Sequence, residues 1–257
     1  MTQAEREGRA ISLTLLALEG VCKSYWRGVH ETVVLADVSL EVCAGELFAI
    51  WGQRGAGKTT LATIAAGLEA PERGRVVFDG EDLANGRGSW GKVPRLHEGI
   101  GWVQRGGPHS GDYRTTVDYV ALPLLGQCSP RGALRRASAM LNRLGVADCA
   151  TERWESLTDG ERTLVAVAHA LVREPRLLIA DDPTANLDVL QREQIMALLR
   201  HAADEDGLAV LVTVPDMPEM VHADRVGALS DGTLTVSGPP PGPRENVIDF
   251  PSERQSG

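Results

Sequence analysis

The stretch Leu47-Phe48-Ala49-Ile50-Trp51 runs directly into Gly52-Gln53-Arg54-Gly55-Ala56-Gly57-Lys58-Thr59-Thr60. The first five residues are apolar, as in a buried strand, and the residues from Lys58 onward have a helical pattern. The residues between them fit G-x-x-x-x-G-K-[ST] in the strand–loop–helix setting that this motif requires. Glycines let successive backbone N–H groups approach a phosphate, and a helix N-terminus adds a positive dipole. The stretch therefore predicts a phosphate-binding loop.

Two side chains of this loop are expected to act on a bound nucleotide. Lys58 would supply a point charge to the β- and γ-phosphates, and the Thr59 hydroxyl would ligate Mg²⁺. The alternative is an ordinary Gly-rich turn that happens to contain a lysine, but the strand, the helix and the fixed motif positions argue against it. We therefore predict binding of ATP with Mg²⁺ by the whole loop, namely Gly52, Gln53, Arg54, Gly55, Ala56, Gly57, Lys58, Thr59 and Thr60.

Paired carboxylates end a second apolar run, Arg176-Leu177-Leu178-Ile179-Ala180-Asp181-Asp182. Asp181, at the tip of this predicted strand, is expected to hold the water shell of the metal. Asp182 is placed to orient the attacking water. A plain strand-ending turn, Asp-Asp-Pro-Thr, is the alternative, and the upstream phosphate loop makes the catalytic interpretation the stronger one.

Short apolar runs alternate with helical patterns along the chain, which predicts an α/β fold. The phosphate-loop motif predicts that its core is that of a P-loop NTPase. Residues 106–174 lack a convincing strand and predict a helical subdomain insertion. Asp231-Gly232 predicts a hairpin and a small antiparallel β portion. The predicted strands are 13–21, 38–42, 47–50, 75–80, 100–103, 176–180, 208–214 and 226–230, the predicted helices are 58–67, 130–144, 159–173 and 189–206, and 85–91 is a predicted surface loop.

The ends of the chain differ in composition from its centre. Residues 1–11 form a polar tail, 12–237 one folded domain, and 238–257 a Pro-rich tail that we expect to be disordered. The N-terminus has no apolar signal segment, and no apolar run approaches the roughly 20 residues of a membrane span. Any role at a membrane is therefore expected to depend on a partner subunit.

The composition limits the kinds of molecule and metal that the chain is expected to bind. The formal net charge of −9 argues against binding to nucleic acid, which requires a basic surface. Four cysteines, Cys22, Cys43, Cys128 and Cys149, show neither C-x-x-C spacing nor a nearby histidine at metal spacing. They are expected to be free thiols in a reducing cytosol.

Taken together, these motifs resemble the nucleotide-binding domain of ABC transporters over most of residues 12–237. The family signature L-S-G-G-E/Q is matched by Leu157-Thr158-Asp159-Gly160-Glu161, which opens a predicted helix. The D-loop is matched by Pro183-Thr184-Ala185-Asn186-Leu187-Asp188. The sequence D-x-P-T-A-N-L-D is most similar to exporters of the lipoprotein-release and macrolide-efflux type.

The resemblance implies an ATP-hydrolysing subunit that couples ATP binding and hydrolysis to transport through membrane-spanning permease subunits. It implies a head-to-tail dimer, with itself or with another ATP-binding subunit, in which Thr158 and Gly160 contact the opposite nucleotide. The chain would lie in the cytoplasm, peripheral on the inner face of the cell membrane, with its helical subdomain, including an exposed Trp154, against the permease. Tyr25 would stack on adenine, a core tyrosine being the alternative, and Gln104 would ligate the metal.

Four positions depart from the family pattern. Asp182 replaces the catalytic glutamate, Val214 the switch histidine and Asp159 the first signature glycine, while Arg105 stands where the glutamine is expected and Gln104 comes one place early. A shorter carboxylate can cost about 10²-fold in rate when water must be positioned within an ångström. A carboxylate about 5 Å from a phosphate would cost on the order of 3 kcal/mol.

These departures leave two interpretations open: slow hydrolysis caused by Asp182, Val214 and Asp159, or tolerated drift in a working ATPase. The first interpretation extends to a regulatory or scaffolding subunit that binds ATP and hardly hydrolyses it. A soluble ABC protein of translation or DNA repair fits poorly, because those carry two cassettes or a long coiled-coil insertion. A small-molecule kinase would not explain LTDGE followed by DDPTANLD.

Overall fold

The computed structural model describes residues 14–83, 96–105, 114–215 and 217–238. The predicted N-terminal tail, the predicted loop at 85–91 and all of the predicted C-terminal tail beyond Gly238 lie outside these residues. The strands are β1 (Thr14–Arg27), β2 (His30–Cys43), β3 (Leu47–Trp51), β4 (Arg73–Phe78), β5 (Glu81–Asp82), β6 (Ile100–Val103), β7 (Leu177–Asp181), β8 (Ala209–Val214), β9 (Arg225–Ser230) and β10 (Thr233–Val236). The α-helices are α1 (Lys58–Ala65), α2 (Thr116–Ala121), α3 (Pro130–Arg143), α4 (Asp159–Leu171) and α5 (Val189–Asp206).

The centre of the molecule is a six-stranded sheet in the order β10-β9-β3-β8-β7-β6. All neighbours are parallel except β9 and β10, which form the predicted hairpin. Strand β3 shows why the sheet is covered on both faces. Phe48 and Ile50 pack into one apolar cluster, and Leu47 and Ala49 into another on the opposite side. This sheet confirms the predicted α/β core and carries the phosphate loop at the carboxyl end of β3.

A second, four-stranded antiparallel sheet has the order β2-β1-β4-β5. It closes the cluster that contains Phe48, contributing Leu16, Leu18 and Val38 among others. The sequence predicted only parts of its long strands, at 13–21 and 38–42, whereas β1 and β2 extend to a turn beyond Arg27. Most of the missed residues, 22–37, are exposed, and their apolar members do not alternate regularly with polar ones, which is the pattern from which a strand is recognised.

Helices α2, α3 and α4 form a lobe with an apolar cluster of its own. Apart from an isolated bridge between Leu125 and Cys128, the described residues from 114 to 174 contain no β-structure, in agreement with the predicted helical insertion. Trp154 was expected to be exposed. It is instead half-buried, because it packs against the apolar cluster of the lobe with its ring edge-on to Tyr119 at 5.5 Å between centroids.

Helix α2 is six residues long, and its N-terminus depends on a reciprocal cap. The Thr115 side chain accepts from the N–H of Asp118, whose carboxylate accepts from the N–H of Thr115. We expect Thr115→Ala to cost about 1 kcal/mol, because an orphan N–H loses its acceptor. Calorimetry should show a fall in Tm of about 2–4 °C. Ser138→Ala, at an exposed position within α3, is the matched control; an equal fall in both variants would contradict the capping role.

Candidate nucleotide-binding site

The loop between β3 and α1 contains glycines at positions where a side chain would collide with neighbouring atoms or where the backbone is left-handed. Gly57 precedes α1 with a φ of 99°, and a Cβ there would lie 2.8 Å from a Val34 methyl and 2.9 Å from the Val34 carbonyl oxygen. A Cβ on Gly52 would lie 2.5 Å from the Leu229 carbonyl oxygen. Gly55 is also left-handed, and nothing lies within 4 Å of its Cβ position. The backbone is thus held close to neighbouring strands on one side and open at Gly55, as a phosphate cradle requires.

Lys58 is the first residue of α1, and its side chain turns back over the loop. Its Nζ donates to the Gly52 carbonyl at 2.5 Å and to the Gln53 carbonyl at 3.3 Å. Burial lowers the pKa of Lys58, and the nearby charges of Asp182 and Asp181 oppose that shift. The ammonium therefore lies on the carbonyls of the phosphate loop, near the charges of two carboxylates.

Thr59 and Asp181 meet across the site. The Thr59 hydroxyl donates to one Asp181 carboxylate oxygen at 2.8 Å, and the Thr213 hydroxyl donates to the other at 2.9 Å. Asp181 is almost fully buried at the carboxyl end of β7. Thr213 was not among the predicted site residues, although a lone hydroxyl in the otherwise apolar run of β8 was a signal for it.

The residues present fit a magnesium ion. A hydroxyl and a carboxylate oxygen on adjacent elements are the hard oxygen ligands that Mg²⁺ prefers, with phosphate and water supplying the rest. No group of three or more His, Cys, Asp or Glu side chains suited to a metal occurs in the described part of the chain. A metal at this site would therefore depend on Thr59, Asp181 and the nucleotide.

Asp182 has an unusual environment. Its φ is 49°, and its N–H donates to the Thr213 hydroxyl at 2.8 Å. One carboxylate oxygen lies 3.4 Å from the Arg105 guanidinium, and the other is buried without a hydrogen-bond partner. Burial raises the pKa of Asp182, and Arg105 is the strongest of the charges that lower it. The sequence identified Asp182 and the departure at Arg105, but not that these two side chains are paired.

The other two departures are also placed by the structure. Val214 is the last residue of β8 and is fully buried, so this position offers the site no hydrogen-bond donor. Asp159 forms an ion pair with Arg162 at 3.2 Å between charged atoms. That pairing reduces the repulsion that an unpaired carboxylate in the signature would exert on a phosphate.

The signature residues Thr158 and Gly160 lie at the N-terminus of α4. Thr158 and Glu161 cap this helix reciprocally, and a Cβ on Gly160 would lie 3.0 Å from the Gln191 amide nitrogen. Within the described residues, neither Thr158 nor Gly160 is hydrogen-bonded to loop residues 52–60. Thr158 and Gly160 of the signature are therefore not joined by a hydrogen bond to the phosphate loop of the same chain.

Tyr25 and Gln104 lie at the edges of the site. The Tyr25 hydroxyl donates to the Glu69 carboxylate at 2.8 Å and lies 3.5 Å from the Thr60 hydroxyl; the side chain is too exposed to be a core tyrosine. Gln104 is exposed and lines a cavity of about 210 Å³ together with Asp159 and Asn186. Stacking of Tyr25 on adenine and ligation of metal by Gln104 both stay predictions.

A phosphate loop at the end of a parallel strand, bonded through Thr59 to a carboxylate on a neighbouring strand, defines a nucleotide-binding protein of the P-loop class. The family model for ABC transporters matches residues 35–185, more than half of the chain. This chain belongs to the ABC transporter family. The match confirms the predicted family, whereas the resemblance to lipoprotein-release and macrolide-efflux exporters stays a prediction.

Solved structures agree with this assignment. The bacterial ABC transporter cassette MJ0796 is 30% identical, with a TM-score of 0.77 over 86% of this chain and 96% of that chain. It has been solved as a dimer, including a post-hydrolysis state bound to ADP and Pi. CbiO1 from Clostridium perfringens, part of the ABC transporter complex CbiONQ, is 28% identical, with a TM-score of 0.72 over 86% of this chain and 87% of that chain. The chain is thus an ATP-binding cassette homologous to the ATPase subunits of transporters.

In the ranges that the structure describes, no helix combines the length and the apolar character needed to cross a membrane.

Proposed function

We propose that this chain binds Mg-ATP and couples its binding and hydrolysis to transport through separate membrane-spanning subunits. The observation that carries the proposal is the hydrogen bond from Thr59 in the phosphate loop to Asp181 at the end of β7, with Lys58 alongside. Isothermal titration of the purified chain with Mg-ATP tests the first part. Absence of binding would refute the nucleotide site itself.

Different residues would bind the phosphates and the metal ion. Lys58 and the backbone N–H groups of the loop would hold the phosphates, while Thr59 and Asp181 would hold Mg²⁺. The ion, when bound, polarises the phosphate oxygens and offsets the charge that develops on them. Thr213 fixes the Asp181 carboxylate and the backbone of Asp182, since its hydroxyl donates to the carboxylate of Asp181 and accepts from the N–H of Asp182. Asp182 would orient the attacking water and accept its proton.

We infer that the working unit is a head-to-tail dimer on partner subunits at a membrane. Thr158 and Gly160 have no hydrogen bond to the phosphate loop within the described chain, which agrees with a role at the opposite nucleotide. MJ0796 is dimeric, and CbiO1 is part of a transporter complex. By this analogy the chain is peripheral on the inner face of the membrane, paired with itself or with another ATP-binding subunit.

The exposed side of the helical lobe is the surface that we propose for the membrane-spanning partner. Leu122, Leu125 and Leu134 are large apolar side chains that stay exposed there. Apolar groups at an exposed surface favour contact with another protein. The lobe is also separate from the nucleotide loop, so that a partner bound to it leaves the loop accessible.

A cysteine placed at Leu125 should cross-link to the membrane-spanning subunit in the assembled complex. The experiment uses a Cys128→Ser background, because the native Cys128 is exposed nearby. Val29→Cys is the control, since Val29 is exposed at the turn between β1 and β2. Linkage from Leu125→Cys only to the other ATP-binding subunit, or linkage to the membrane subunit only from Val29→Cys, would count against this surface.

A second candidate function is a regulatory or scaffolding subunit that closes on ATP and hardly hydrolyses it. It is favoured by the pairing of the short Asp182 carboxylate with Arg105 and by the apolar Val214. The two candidates differ in turnover, not in ATP binding. Phosphate release at saturating Mg-ATP therefore separates them.

A further inference from the structure

Arg105 lies at the same edge of the sheet as the phosphate loop. It follows β6, which runs parallel to β7 with Val103 paired to Ala180. The chain after Val103 therefore runs alongside the carboxylates that follow Ala180. The guanidinium of Arg105 reaches Asp182 at 3.4 Å.

The contact between Arg105 and Asp182 leaves most of the guanidinium free. The Arg105 side chain is 52% exposed, whereas the Asp182 side chain is 11% exposed. Among the described residues, Arg105 makes no other hydrogen bond or ion pair. A guanidinium has five N–H donors, and a half-exposed ion pair of this length contributes little. The group is thus held at the site while most of its donors stay available to an anion.

A second cation lies at the same edge of the sheet. Lys58 follows β3, which is separated from β7 by β8 alone, and its Nζ lies on the Gly52 and Gln53 carbonyls of the phosphate loop. Two cations at one edge of the sheet favour an additional anion. Phosphate suits Arg105 in particular, because the planar guanidinium can donate two parallel hydrogen bonds to it.

We propose that Arg105 binds the terminal phosphate of ATP, leaving Asp182 when the triphosphate is present, and that it thereby distinguishes ATP from ADP. The inference rests on the proposed ATP-binding function and assigns one subsite of it. Arg105 would supply the donor that Val214 lacks. Since ADP has no third phosphate, the contribution of Arg105 to its affinity should be small.

The test compares the affinity of a triphosphate with that of a diphosphate, independently of turnover. Isothermal titration with Mg²⁺ and either ADP or the non-hydrolysable β,γ-imido analogue of ATP gives both dissociation constants. Arg105→Ala should weaken the triphosphate analogue about fivefold and leave ADP within about twofold. Arg105→Lys should retain part of the difference, since it keeps the charge without the fork. Arg136→Ala, which removes a half-exposed arginine paired with Glu174 on the helical lobe, is the matched control.

The possible results distinguish a failure of the role proposed for Arg105 from a failure of the nucleotide-binding site as a whole. Unchanged affinity of Arg105→Ala for the triphosphate analogue would overturn the proposal, and so would an equal loss for both nucleotides, which indicates a structural role. If the wild-type chain bound neither nucleotide, the proposed function itself would fail. If it bound both and only the role of Arg105 failed, the proposed function would stand.

Discussion

Replacing Lys58 with alanine is expected to lower the affinity for Mg-ATP by at least about 100-fold. The ammonium lies over the phosphate loop, and its partners there, the Gly52 and Gln53 carbonyls, are neutral acceptors. Phosphate oxygens are stronger acceptors, and a charge-assisted hydrogen bond contributes roughly 1.5–3 kcal/mol. Two such bonds account for a loss of at least about 2.7 kcal/mol.

Displacement of a fluorescent ATP analogue by Mg-ATP measures this loss. Arg75→Ala is the control, because Arg75 is an exposed cation on β4 whose partner is Glu19. Thermal unfolding should change little in the Lys58→Ala variant, since the glycines set the loop backbone. Equal affinities of wild type and Lys58→Ala would refute the assignment of this loop as the phosphate site.

Local signals in the sequence predicted the fold best where both ends of an element were marked. Helix α5 was predicted with its exact bounds, Val189–Asp206, because Asp188 caps its N-terminus and Gly207 ends it in the left-handed conformation. Helix α2 was missed because six residues hold too little periodicity to be recognised. The order of the strands could not be predicted, since it depends on contacts between residues that are distant in sequence.

The residues of the site likewise differ in whether a contiguous sequence pattern marks them. Lys58 and Thr59 belong to a contiguous motif, and Asp181 ends a recognisable strand, so the sequence alone placed them. The roles of Thr213 and Arg105 depend on register instead. Asp181 is paired to Thr213 across β7 and β8, and Arg105 follows the strand next to β7. Such pairings between strands leave no contiguous pattern in the sequence.

The two departures at Asp182 and Val214 are expected to limit hydrolysis together. Asp182 is one methylene shorter than the glutamate of the family, and its carboxylate lies against Arg105. Val214, fully buried at the end of β8, gives the terminal phosphate no donor. A base that is an ångström too far from water costs about 10²-fold. Groups that act as a unit are strongly non-additive, so repair of one alone should achieve little.

Asp182→Glu combined with Val214→His should therefore raise the steady-state ATPase rate at least about tenfold, equivalent to roughly 1.4 kcal/mol of barrier. Phosphate release at saturating Mg-ATP is measured for wild type, both single variants and the double variant. Thermal unfolding of each is the control, because an imidazole at the buried position 214 must desolvate. Adding Asp159→Gly should raise the rate further only if the chain pairs with itself, since in the proposed dimer that residue would face the opposite nucleotide. If the wild type already turns over several times per second and the double variant is no faster, these substitutions are drift in a working ATPase and the short carboxylate is sufficient.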